Sequence, residues 1–137
     1  MRSIHKDLIK KLGMRSRMVL MSIKPVYADR ILSGEKKFEF RRQCFGEDVK
    51  RVEIYSSYPV QRIVGYFTVK AIYRDTPEKI WDLCKEFAGI DLTSYTAYFN
   101  NRNIAYSIAI GAVRAYPVPR LLSEYHARPP QSYCYIC

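Results

Sequence analysis

At 137 residues and 48% apolar, the chain has the size of one compact domain and too much apolar content for a disordered tail. Its net charge of +10 favours an anionic partner, nucleic acid above all, and no apolar run approaches the roughly 20 residues that span a bilayer. That charge is uneven, because residues 1–17 alone carry a net +5 and leave the remainder only mildly basic.

The first residues are charged and lack the apolar segment of a secretory signal, so a cytoplasmic protein is expected. Of the four cysteines, only Cys134-x-x-Cys137 is closely spaced, and no second pair completes a four-ligand zinc site. Free thiols, no metal and no cofactor are the expectation. Twelve tyrosines and six phenylalanines exceed what a core of this size requires, and tyrosine can stack on bases while its hydroxyl hydrogen-bonds.

In chain order, Ile4, Leu8, Ile9 and Leu12 recur at helical spacing up to Gly13. Residues 1–17 are therefore expected to form a basic arm or helix, a candidate contact for an acidic protein, ahead of a domain over 18–137. Residues 19–23 suit a buried strand. Pro25 suits the first turn of a helix with Val26, Tyr27, Ile31 and Leu32 on its apolar face, closed by Gly34. From Lys37 the period becomes two, with Phe38 and Phe40 on one face and Lys37, Glu39 and Arg41 on the other. Residues 52–57 and 62–73 suit two more strands, with Gly65 permitting a bend in the second.

Thr76-Pro77-Glu78-Lys79 is a helix start, with a Thr cap, Pro at the first position and an acid in the first turn. Ile80, Leu83, Cys84 and Phe87 are its expected buried face, Trp81 lies in the core or at its edge, and Gly89 is the expected stop. A second helical piece over 92–99 begins at Asp91 or Thr93. A strand over 104–116 is expected to break at Pro117 and Pro119. A turn near 121–124 and a last strand over 132–136 complete the chain. Long bent strands with few helices predict an α+β fold, a small, partly open barrel of about five to six mixed strands with two to three flanking helices.

One stretch concentrates chemistry. Glu39 and Arg41 are two apart on one strand, so they share a face about 7 Å apart. Lys36 sits in the entering turn and can fold back over them. An arginine fork suits phosphate or a base edge, and a carboxylate accepts from an exocyclic amine or a ribose hydroxyl.

The spacing Gly34-x-Lys36-x-x-Glu39-x-Arg41, preceded by Ser22-Ile23-Lys24-Pro25 and a short helix, resembles the ASCH family, a branch of the PUA-like superfamily. The resemblance runs over roughly residues 18–136, through the Ile63-Val64-Gly65 strand, the Trp81 helix, the Tyr106 strand and the closing Pro130-Gln131-Ser132-Tyr133. It implies a PUA-like barrel with a basic cleft between barrel and helices. Lys24, Tyr55, Ser57, Gln131, Ser132 and Tyr133 are the candidates for the remaining walls, beside Lys36, Glu39 and Arg41.

Two functions follow from the resemblance. The first is a module that binds RNA, single-stranded nucleic acid or a modified nucleotide, in regulation of translation or transcription. The alternative is a hydrolase on a modified nucleoside or RNA, with Lys36 and Glu39 as the catalytic pair. Amidohydrolase relatives carry a nucleophilic Thr where this chain has Glu39, and the acid completing their site has only approximate counterparts here, Glu86 and Asp91. A carboxylate is a poorer nucleophile for an amide, so Glu39 shifts the expectation from catalysis to recognition.

Overall fold

Apolar side chains alternate along the first strand, and that alternation sets the architecture. Val19, Met21 and Ile23 enter one core, while Leu20 points to the opposite side. The computed structural model describes residues 17–136, so the basic arm and the second cysteine of Cys134-x-x-Cys137 lie outside the described residues, Arg17 apart. The elements are β1 (Arg17–Ile23), α1 (Pro25–Ser33), β2 (Phe38–Arg41), β3 (Val49–Ser56), β4 (Arg62–Asp75), α2 (Pro77–Cys84), α3 (Leu92–Tyr98), β5 (Ala105–Arg120) and β6 (Tyr133–Ile136). Short 3-10 turns occupy Lys85–Phe87 and Leu122–Tyr125.

One mixed sheet runs β2-β5-β4-β3-β1-β6. Its parallel pair is β1 with β3, and the other ladders are antiparallel. A parallel neighbour needs a crossover, which α1 and β2 supply. The sheet curls like a barrel, but among the described residues no ladder joins its two edge strands, β2 and β6. The seam between those edges becomes the centre of interest.

Three apolar clusters hold the sheet. Val19, Met21, Ile31, Ile54, Phe67 and Ile108 fill the inside with α1. Phe40, Ile80, Cys84, Tyr95 and Phe99 seat α2 and α3. Leu20, Tyr55 and Ile63 on the outer face are covered by the segment carrying Leu122 and Tyr125. Cys44, Cys84 and Cys134 are free thiols. No helix among the described residues is long and apolar enough to cross a membrane.

The helix signals are expressed locally. Thr76 Oγ1 accepts from the Lys79 N–H at 3.3 Å, and Asp91, not Thr93, caps the third helix by accepting from the Ser94 N–H at 2.8 Å. Gly34 closes α1 at φ 87°, in the left-handed region that favours glycine.

Three expectations are corrected. Pro117 and Pro119 do not break β5, which continues to Arg120. The register to β4 shifts between Ile63 and Gly65, leaving residues 116–119 outside paired positions, so prolines there remove no ladder bond. The second helix ends at Cys84 and passes into a 3-10 turn before Gly89. Leu83 and Phe87 are not buried, at 57% and 44% exposed, because Ile80, Cys84 and Ala88 are the residues of that segment that face the sheet.

Candidate functional site

Lys36 follows the left-handed turn at Gly34, and its N–H donates to the Arg30 carbonyl at 2.9 Å. The turn tucks the side chain inward until only 2% is exposed. Its Nζ donates to the Ala88 carbonyl at 2.6 Å and lies 4.7 Å from the centre of the Phe40 ring. Gly89 makes this possible. Its φ is +65°, and a Cβ there would sit 2.4 Å from the Cβ of Lys36. Burial lowers the Lys36 ammonium to about 8, against the opposing pull of Glu39, whose Oε1 is 3.9 Å from Nζ.

Glu39 and Arg41 share one face of β2, as period two requires. Arg41 Nη1 donates to Glu39 Oε2 at 3.0 Å and to the Ser22 carbonyl at 3.3 Å, while Nη2 donates to Ser132 Oγ at 2.8 Å. Ser22 Oγ in turn donates to the Pro130 carbonyl at 2.5 Å. One guanidinium therefore ties edge strand β2 to β1 and to the residue preceding the opposite edge strand, β6. Phe45 and Tyr133 add an edge-to-face contact, with ring centroids 5.5 Å apart. Side chains, not a ladder, bridge this seam.

A cavity of about 830 Å³ opens there. Its volume lies within the range of small-ligand sites. Glu39, Phe40, Arg41 and Arg42 line it from β2, Ser22, Lys24 and Tyr27 from the first strand and helix, and Tyr95 and Tyr98 from α3. Tyr55, Ser57, Tyr58 and Gln61 form another wall, and Pro129, Pro130 and Gln131 a third.

Six of the nine residues singled out in the sequence meet on these walls: Lys24, Glu39, Arg41, Tyr55, Ser57 and Gln131. Ser132 is held at the seam by Arg41. Lys36 lies behind Glu39 and is not part of the wall. Tyr133 turns onto Phe45 against the main core. Lys37 precedes β2, and its ammonium lies 5.3 Å from the centre of the Phe87 ring, so it does not join the Glu39–Arg41 face as the period suggests.

The aromatic wall was not recognised in the sequence. Arg42 Nε donates to the Tyr98 carbonyl at 2.8 Å, and the guanidinium carbon sits 4.3 Å from the centre of the Tyr98 ring. Tyr95 anchors its hydroxyl on the Pro77 carbonyl at 2.7 Å. The available signal was Tyr95 and Tyr98 at i, i+3, the spacing that puts two rings on one helical side. Among the described residues, no group of three or more His, Cys, Asp or Glu is placed to hold a metal ion.

Residues 21–114 match the ASCH domain family, most of the chain and all of the Gly34–Arg41 motif. The chain belongs to the ASCH family. An ASCH domain-containing ribonuclease from Zymomonas mobilis is 30% identical over 81 residues, 58% of this chain and 55% of that protein. This ASCH chain thus matches about half the length of that relative. It also superposes on the crystal structure of ASCH from Zymomonas mobilis with a TM-score of 0.81 at 25% identity, covering 88% of this chain and 87% of that one. A single-residue variant of the same protein gives 0.80 at 23% identity, covering 88% and 90%. The six-stranded mixed sheet with three helices is the ASCH fold, and its barrel-like sheet is not closed.

Proposed function

We propose that the seam cleft binds single-stranded RNA, seating one nucleotide against Glu39 and Arg41. The observation that carries this reading is the composition of the cavity wall. Lys24, Arg41 and Arg42 are its cations, Glu39 its one carboxylate, and tyrosines 27, 58 and 98 its accessible aromatic surfaces, with buried Tyr55 and Tyr95 behind them. Cations suit phosphate, tyrosine rings suit unstacked bases, and a carboxylate accepts from a base amine or the 2′-hydroxyl. Burial limits Glu39 to 6% exposure, so its position is fixed before a ligand arrives. The relative named as a ribonuclease supports RNA as the ligand class.

Binding of a labelled single-stranded RNA across about 50–300 mM salt tests the proposal. Affinity is expected to fall as salt rises, and Arg41→Gln to weaken it by about tenfold, the loss of one charge-assisted contact. Affinity indifferent to both salt and Arg41 would sink it.

The ribonuclease relative favours a second reading, phosphodiester cleavage in the same cleft. Glu39 is then the base that takes the 2′-hydroxyl proton as that oxygen bonds to phosphorus, the 5′-oxygen leaves and takes a proton from water, Arg41 is the cation beside the phosphate charge, and Lys36 is the ammonium buried behind Glu39. RNA carrying a single 2′-deoxy residue at the cut site decides between the readings. Cleavage blocked by that substitution and by Glu39→Gln supports catalysis, and an intact substrate at high protein concentration leaves binding alone.

A further inference from the structure

A second cluster of arginine and tyrosine lies on the outer face of the sheet. Glu53, Tyr66 and Arg114 stand opposite one another across β3, β4 and β5, so their side chains share that face. Arg51, two residues before Glu53, stacks its guanidinium carbon 3.6 Å from the centre of the Tyr66 ring. Arg120 stacks in the same way on Tyr116, at 3.8 Å. The two rings are neighbours, with centroids 6.0 Å apart. Beneath them Glu53 is 1% exposed and accepts from the hydroxyls of Tyr116 and Tyr125 at 2.5 and 2.6 Å and from Arg51 Nε at 2.8 Å.

The buried carboxylate fixes the ladder without presenting negative charge at the surface. The arginines above it stay open: Arg51 is 35% exposed, and Arg114 and Arg120 are exposed. No hydrogen bond or ion pair engages the Arg114 side chain among the described residues. Two guanidinium planes already ordered on rings lose little entropy when a base stacks on them. The ladder also starts near the cleft. Gln61 lines the cavity, and Arg120 lies opposite Ile63, two residues further along β4. From Ile63 to Tyr66 the strand carries the ladder about 10 Å away from that rim.

We infer that this face is a second RNA contact, which takes the strand leaving the cleft by stacking its bases on Arg51 and Arg120 and pairing its phosphates with Arg114. The inference rests on the cleft reading for the first nucleotides and adds a path for the following ones.

Fluorescence anisotropy with single-stranded RNAs of about four and about twelve nucleotides tests it, lengths that separate one subsite from an extended track. The double variant Arg114→Glu, Arg120→Glu is expected to bind the longer RNA about tenfold more weakly, with a salt slope lower by about 0.7 for the one lost phosphate contact, and to bind the shorter one unchanged. Tyr66→Leu, which keeps every charge, should weaken the longer RNA alone. Unchanged affinity and slope for the longer RNA in the double variant would overturn the inference. So would failure of the wild type to bind the longer RNA, or competition by polyglutamate as strong as by RNA, which would point to an acidic protein. Arg41→Gln keeps the two readings separable. If it spares the shorter RNA, the cleft reading fails while the double variant still judges the outer face.

Discussion

Two glutamates of this chain look alike in sequence and behave differently in the fold. Glu39-x-Arg41 lies on β2 and Arg51-x-Glu53 on β3, each an acid and an arginine two apart on one strand. Both carboxylates are buried and both bond their arginine, at 3.0 and 2.8 Å. Glu53 receives three donors, two phenols and a guanidinium, which engage both of its oxygens. Glu39 receives one hydrogen bond on Oε2, its Oε1 has the Lys36 ammonium only at 3.9 Å, and it borders the cavity. A buried carboxylate with both oxygens engaged fastens a fold. One with a lone pair in reserve beside a cavity is available to a ligand.

The largest test of that contrast is Glu53→Ala. It strands two phenol hydroxyls and an arginine under the segment that covers the outer face, so a stability loss of about 3 kcal/mol is expected in urea unfolding. Cleft affinity for a short RNA in the folded protein should not change. Glu39→Gln is expected to do the reverse: about tenfold weaker RNA binding, with a smaller loss of stability, near 1 kcal/mol. Equal stability losses for the two would mean that Glu39 is a fastening as well, and the contrast would collapse.

Lys36 sharpens the comparison through pH. The folded state lowers its pKa to about 8 from 10.5, mainly by burial, so above pH 8 the unfolded chain holds more protons than the folded one. Stability contributed by this group therefore rises with pH in that window, by up to about 1.4 kcal/mol per unit. The thiols act oppositely. Burial pushes Cys44 up to about 11 and raises Cys84 and Cys134, which draws stability down once unfolded thiols ionise near pH 9. The measurement is accordingly a difference. Wild type relative to Lys36→Met should gain about 1 kcal/mol between pH 8 and 9. A flat difference would show that the buried ammonium carries no desolvation cost.

Much of the fold was legible because its signals are local. Pro25 and Gly34 bound the first helix, Thr76 caps the second, and the alternation from Phe38 to Arg41 marks β2. Asp91 against Thr93 was decided only by geometry. The motif placed Glu39 and Arg41 on the cleft, since residues two apart on a strand must share a face. It could not place Lys36, because a turn's direction is set by what packs on it, here Ala88 and Gly89 some fifty residues away. Tyr95 and Tyr98 stayed hidden for the same reason. Their helix carries no charge pattern, and only its packing turns Tyr98 toward Arg42 and Tyr95 into the cluster with Phe40 and Phe99. Arg51 and Glu53 show the converse, a motif-like pair whose role depends on tyrosines 116 and 125, far along the chain.

The smallest effect bears on the seam itself. Ser22 Oγ donates to the Pro130 carbonyl, and Arg41 holds Ser132 two residues on, so two side chains pin the C-terminal wall of the cleft. Ser22→Ala removes one pin and leaves a carbonyl that water can reach, since Pro130 is only half-buried. The expected loss is about 0.5–1 kcal/mol, a fall in Tm of about 2–5 °C for a domain of this size. RNA affinity should drop less than about threefold, because Arg41 keeps Ser132 in place. A Tm loss as large as that of Glu53→Ala would mean that the cleft wall is fastened as firmly as the outer face. A loss near zero with tenfold weaker binding would instead make Ser22, which lines the cavity, a direct ligand contact.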